Sequence, residues 1–488
     1  MPHLPLTPTG PLPAVAVPSI SRQLARWACQ LRYENLPPAV VDKTQALLLH
    51  ALTGGLLGAR ARAAQDVVQL TLREEGRPDG ASVFHSPHKA SRIGATFANS
   101  ELIHASFLFD SFRMLTHPGP VLVPAALAQA ELEGRSGQDL IVALVAGYEM
   151  VCRLADDFIP STAARGFRPS PLYATLGAAL SCGLLMGLDE DRLVTAIALA
   201  THFASGLNEG PRVGANELLI HEPQAARNGV FAAVMARAGH IKGAETSIEG
   251  RAGFYNAFTG SHSGELSHSF TGAKQVDMAS LTQGLGQTYK MLDFMFRIYP
   301  CPGYNQPVIE LMGELCQRHG IAAGEIAQVR VHMNTIETRY PSPAFPRHED
   351  WQQARVWDST HYFAARVAVA GSFPVANGLP PGAPDSDPAR EAQARELMAH
   401  IRLVPEDLRP MFSPAIAIEL KSGQVHQGDY PYARMVWDLR SLRARLQACE
   451  PGIEGGAARL DALTQLISNA QQLASVQPLL ALMQSWPA

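Results

Sequence analysis

Residues 103–128 read IHASFLFDSFRMLTHPGPVLVPAALA, and the stretch changes character at a His117-Pro118-Gly119 turn. Before the turn, aromatic residues are interspersed with Asp110, Ser111, Arg113 and Thr116. After it comes an apolar, Ala-rich run of the kind that forms a buried helix. The first helical turn has unpaired N–H groups in any case, so the prolines there cost little. His117 thus falls just before a helix start, where free backbone donors and the dipole favour an anion. Asp110 either orients His117 or caps its own loop, since short polar side chains commonly do the latter.

On both sides of this stretch the pattern stays helical. Ser21 is expected to cap a helix through Trp27 to Leu31, and Pro37-Pro38 stands where a second helix begins. Gly134 and Gly137 bracket a turn before QDLIVALVAGYEMVCRLA. ATLGAALSCGLLMGL follows, with Gly187 as its stop and Asp189 as the next cap. Helical texture continues to about residue 270. Helices this apolar need covering on most sides, as in a bundle interior or a dimer interface. From about 275 the texture changes. QVRVHMNT and AIAIELKSGQVHQGDYPY alternate at period two, the second around a Ser-Gly turn, with helical stretches at 305–318 and 359–370 between them. A Pro-rich loop, FPVANGLPPGAPDSDP, interrupts this part. After about 437 the chain is helical again. The expected fold is mainly α with a smaller α+β domain: a Pro-rich arm at 1–20, a helical domain at 21–272 and 437–488, and an α+β lid at 273–436.

Composition excludes several function classes. The chain has 488 residues, 47% hydrophobic and 17% charged, with a formal charge of −4 and no basic stripe, so neither nucleic acid nor an anionic membrane is an expected partner. Its six cysteines are scattered without a CxxC pair, which argues against a disulfide framework or zinc knuckle. The opening MPHLPLTPTGPLPAVAVPSI has six prolines and no basic n-region, so an arm is expected rather than a signal peptide, and a cytoplasmic location with it. HExxH, GxSxG, Walker A and strand-linked GxGxxG motifs are all absent.

The motifs resemble those of the MmgE/PrpD family, which includes 2-methylcitrate dehydratase and cis-aconitate decarboxylase. The family pattern HALDFDDT, then HP, then VLPAALA is similar to His104-Ala105, Asp110, Ser111 in place of Thr, His117-Pro118 and VLVPAALAQA. LRYENLPPAVVDKTQALLLHALTGGLLGAR, LIVALVAGYEMVCRL, HEPQAARNGVFAAVMARAG and RIYPCPGYNQPVIE resemble further family segments in the same order. The resemblance implies the two-domain fold above, a homodimer, and a reaction on a small carboxylate without cofactor or metal.

The departures from that pattern bear on chemistry. The family's first Asp, thought to act in acid–base chemistry, falls on Phe107, and the next falls on Phe109. Arg168 in GFRPS takes a histidine position, Leu218 takes a lysine position, and Arg297 replaces the lysine of KPYPC. His117, a hydroxyl at Ser111 and Tyr362 in DSTHYFAA persist, with His361 added beside the tyrosine. Arginine suits bidentate carboxylate binding but is a poor proton donor. The expected site therefore binds carboxylate through Arg168 and Arg297, with His117 and Tyr362 moving protons and Asp110 and Ser111 supporting them. Phe107, Leu218, Tyr304, His361 and Arg113 complete the expected substrate-binding set. The expected activity is that of a cofactor-free lyase or isomerase working alpha to a carboxylate or carbonyl: dehydration, decarboxylation, epimerisation or cyclisation. Its substrate carries one or two carboxylates and an apolar portion, as in a specialised pathway. The alternative is a catalytically degenerate homologue serving as a binding or assembly protein.

Overall fold

The computed structural model describes residues 18–213, 215–340, 345, 359–375 and 385–486. Most of the expected Pro-rich arm, and most of the Pro-rich loop after Phe373, lie outside them.

A core of apolar helices is built around Pro169–Leu185, which packs against Gly137–Ala155 on one side and His221–Ala238 on the other. Small residues set the approach. A Cβ on Gly147 would lie 2.9 Å from the Gly177 carbonyl oxygen, and one on Gly229 would lie 2.4 Å from the Ala178 Cβ. Glycine thus lets these helix backbones close to a distance that any side chain would prevent. Pro38–Gly58, Arg92–His104 and Gly119–Leu132 pack around the same core. The terminal helices Leu439–Leu446, Gly456–Ser468 and Gln477–Gln484 return to lie on Pro38–Gly58.

Helix ends follow the expected chemistry with one correction. Ser136 and Asp139 form a reciprocal capping box, and Asp189 accepts from the Arg192 N–H. The first helix, Ile20–Gln30, is capped by Ser19; Ser21 is its second residue, within the first turn, and is fully buried. Helical texture also ends sooner than expected. After Ala238 the only helix longer than one 3-10 turn before residue 300, among the described residues, is Phe254–Thr259. This stretch is dense in Gly, Ser and Thr, which favour turns over helix interiors.

The second texture is a four-stranded sheet in the order Ile401–Glu406, Ile326–Asn334, Ala415–Leu420, Val425–Asp429. The outer pair is the expected hairpin, turning at Gly423 with φ +87°. Ile401–Glu406 was not legible in the sequence; it pairs parallel, Val331 opposite Leu403. Helices Gln306–His319, Thr360–Ala370 and Pro388–Met398 flank the sheet. Among the described residues, no helix is long and apolar enough to cross a membrane.

Candidate active site

Two short strands build the site. Asp110–Ser111 pairs antiparallel with Met295–Phe296, and the Arg297 N–H donates to the Phe109 carbonyl at 3.0 Å. Two segments almost 190 residues apart are thereby locked side by side. They deliver Phe109, Ser111, His117 and Arg297 to a cavity of about 180 Å3, below the roughly 300–1,000 Å3 of sites for drug-sized ligands.

His117 sits immediately ahead of helix Gly119–Leu132. Its N–H donates to the Ser170 hydroxyl at 3.0 Å, which ties it to the helix carrying Arg168 at its cap. The ring Nδ1 lies 2.9 Å from the Asp110 carbonyl oxygen and 3.0 Å from the Ser111 hydroxyl. A carbonyl only accepts, so Nδ1 carries the proton of the neutral ring and Nε2 keeps its lone pair. Burial, then the charges of Arg297 and Arg168, hold His117 well below its ordinary range. It is therefore neutral at pH 7.

The Asp110 alternatives resolve atom by atom. Its carbonyl orients His117, while its carboxylate Oδ1 accepts from the Gly119 N–H at 3.0 Å and caps the helix. The carboxyl is fully buried and pushed up to about 7 by that burial. Tyr148 acts to favour its ionised form, although neither the Tyr148 hydroxyl nor Asp110 Oδ2 makes a normal hydrogen bond among the described residues.

Arg297 lies over the Phe109 ring, with its guanidinium carbon 4.5 Å from the ring centroid, and donates from Nη1 to the Cys301 carbonyl. Its Nε and Nη2 are buried and have no hydrogen-bond partner among the described residues. Burial lowers it to about 10, so it remains charged. Unpaired buried donors of a charged group are costly, and together they form the edge that grips a carboxylate bidentately. Arg168 instead donates to Glu222 Oε2 at 2.6 Å, and His104 Nε2 lies 3.1 Å from the same oxygen. Burial opposes ionisation of Glu222, but Arg168 and His104 outweigh it and hold the carboxyl well below its usual range. Arg113 pairs with Asp156 at 3.0 Å.

The cavity brings together seven of the expected residues: Ser111, Arg113, His117, Arg168, Leu218, Arg297 and Tyr304. Asp110 lies directly behind them. Three expected residues are not among the described lining residues. Tyr362 is fully buried and donates to Glu391 at 2.9 Å. Ser359 caps its helix and sets a phase that turns the tyrosine toward Pro388–Met398. His361, on the same helix, is lowered to about 4 by burial. Phe107 adopts φ +57° and packs on Phe109, with ring centroids 5.9 Å apart. That backbone turn breaks the alternation that would have placed both rings on one face, so the apolar wall comes from Phe109. Phe109 stacks on both His104 and His117, with centroids 5.1 and 5.2 Å apart.

Sequence reasoning also missed Glu222. A carboxylate in the first turn of a helix, where the dipole favours an acid in any case, was the available signal. Among the described residues, no group of three or more His, Cys, Asp or Glu side chains is placed to hold a metal ion.

The MmgE/PrpD N-terminal domain matches residues 22–267. The chain belongs to the MmgE/PrpD family. Its relatives within reach of sequence comparison include a cis-aconitate decarboxylase-like protein of Aspergillus oryzae, 25% identical over 68% of each chain. The cis-aconitate decarboxylase of Aspergillus terreus is 26% identical over 62% of this chain and 61% of its own length. The human cis-aconitate decarboxylase is 25% identical over 83% of this chain and 81% of its own. This MmgE/PrpD chain is thus similar to lyases that act on a carboxylate.

Proposed function

We propose that the cavity is the active site of a cofactor-free lyase or isomerase that moves a proton at the carbon alpha to a carboxylate. The carrying observation is the pairing of His117, whose Nδ1–H is committed to the Asp110 carbonyl, with Arg297, whose Nε and Nη2 have no partner among the described residues. A substrate carboxylate on Arg297 places its alpha carbon in reach of a histidine that is neutral and basic at Nε2. That nitrogen takes the proton, and the C–H electron pair moves onto the carboxylate, where Arg297 stabilises the added charge. Return of the proton to the other face is isomerisation; loss of a hydroxide from the beta carbon is dehydration. In a decarboxylation the C–C pair is released as carbon dioxide departs, and the carbanion takes its proton from a His117 that has first picked one up from water at Nε2, a form the bound anion beside Arg297 favours.

Substrate binding itself prepares the base. Arg297 and Arg168 are the charges that depress His117, so a bound anion beside Arg297 offsets part of that effect and raises the histidine toward its ordinary value. Similarity to cis-aconitate decarboxylases supports the reaction class, while Phe109, Arg168 and Leu218 in the cavity support a substrate different from theirs.

The test is to incubate purified protein in deuterated water with small unsaturated and hydroxy acids and follow them by NMR. Deuterium next to the carboxylate, lost in His117→Ala, is expected. Ligand-induced thermal stabilisation without exchange or turnover of any acid would favour the binding-protein alternative.

A further inference from the structure

Three arginines line the cavity, and their partners divide them unequally. Arg168 is matched by Glu222, which is fully buried and 2.6 Å away. Arg113 is matched by Asp156 at 3.0 Å, with Asp293 a further 0.6 Å out at 3.6 Å. Only Arg297, among the described residues, brings a positive charge to the cavity without an acidic partner at ion-pair distance. The carboxyl that acts on it is that of Asp110, which accepts from the Gly119 N–H. Any ionisation of Asp110 opposes a second anion.

The free edge of Arg297 has room for one carboxylate, because Nη1 is taken by Cys301. Beyond it the described lining is mainly apolar, with Phe109, Leu115, Leu218, Pro211 and Phe412, and its polar members Asn208, Tyr304 and Tyr340 bring no positive charge. A second ionised carboxylate would have to leave water for this apolar surface or compete with Glu222 for Arg168, and neither compensates its desolvation.

We propose that this site takes a small monocarboxylate, with one ionised group seated on the Nε–Nη2 edge of Arg297 and an apolar skeleton against Phe109 and Leu218. Glu222 is the residue that sets this specificity, by neutralising Arg168. The proposal rests on the reading of the cavity as the substrate site, and it differs from what the relatives' names imply, since cis-aconitate carries three carboxylates.

The test titrates wild-type protein calorimetrically with tiglate, mesaconate and cis-aconitate, which carry one, two and three carboxylates. Tiglate is expected to bind at least about tenfold tighter than mesaconate, with cis-aconitate weaker still, as one uncompensated buried charge costs at least that factor. Glu222→Gln keeps the shape and a hydrogen bond to Arg168 but releases its charge. It should tighten mesaconate by about tenfold or more and leave tiglate nearly unchanged. Arg297→Gln should abolish tiglate binding while the melting temperature shows a folded protein. Tightest wild-type binding of cis-aconitate or mesaconate, or no measurable binding of tiglate, would overturn the proposal even if neither variant folds. An unchanged order in a folded Glu222→Gln protein would overturn the role of Glu222. Parallel exchange in deuterated water separates the two claims, read on 2-methylbutanoate, the saturated monocarboxylate that has the alpha hydrogen tiglate lacks. Selective tiglate binding with no exchange or turnover of any acid removes the proton-transfer reading and keeps this one; tight binding and turnover of cis-aconitate does the reverse.

Discussion

Asp110→Asn should make the protein more stable and less active, with the stability gain confined to neutral and alkaline pH. The wild-type carboxyl is fully buried, with Gly119 its one normal hydrogen-bond donor, and it titrates at about 7 rather than the ordinary 3.8. An acid whose folded value is raised is tolerated at low pH, where it is protonated in both states. As pH rises above 3.8 the unfolded chain ionises and the folded one resists, so stability is lost progressively until about pH 7 and is constant beyond. The interval from 3.8 to about 7, at about 1.4 kcal/mol per pH unit, amounts to about 4 kcal/mol. Asparagine removes that cost and keeps an oxygen for the Gly119 N–H. Melting curves at pH 8 should therefore show the variant higher by roughly 5 °C or more, and by pH 5 more than half the gain should be gone. Turnover should fall, because the Asp110 carbonyl holds His117 and a repacked side chain moves it. A variant that is less stable than wild type by the same amount at pH 5 and pH 8 would refute the reasoning. It would mean that the carboxylate is ionised and serves the helix as a charged cap.

Three further outcomes follow from the geometry. With His117 as a base depressed below 6.5 by burial and by Arg297 and Arg168, the acid limb of kcat/KM should lie below pH 6.5. The limb of kcat should lie higher, because bound carboxylate offsets Arg297; coincident limbs would count against that coupling. Tyr362→Phe should cost about 1 kcal/mol through the lost bond to Glu391 while kcat stays within a small factor; a large loss of kcat would restore Tyr362 to the proton path. Gly58→Ala would put a Cβ 1.7 Å from the Leu102 carbonyl oxygen. Backbone cannot move aside cheaply, so chemical denaturation should show a loss of about 3 kcal/mol or more, and a near-neutral result would contradict the close packing of Pro38–Gly58 on Arg92–His104.

The sequence by itself determined the elements whose cause is local. Period-two alternation marked Ile326–Asn334 and the hairpin after it. Gly187 with Asp189, and Pro38 at a first helical turn, marked helix ends, because caps and prolines act within a turn of chain. His117 before a helix start was legible for the same reason, whereas the arginines at 168 and 297 were legible only from the order of the family motifs. Which atoms do the work was decided only by the tertiary structure. Asp110 serves through its carbonyl as well as its carboxylate because the strand pair with Met295–Phe296 fixes where that carbonyl points. Tyr362 spends its hydroxyl on Glu391 and is not among the described lining residues of the cavity, because its helix packs on Pro388–Met398. Glu222, more than 50 residues from Arg168 in sequence, cancels its charge because Pro169–Leu185 and His221–Ala238 pack at glycine contact. Charge pairing and burial depend on distance in space, and no local pattern of residues encodes that distance.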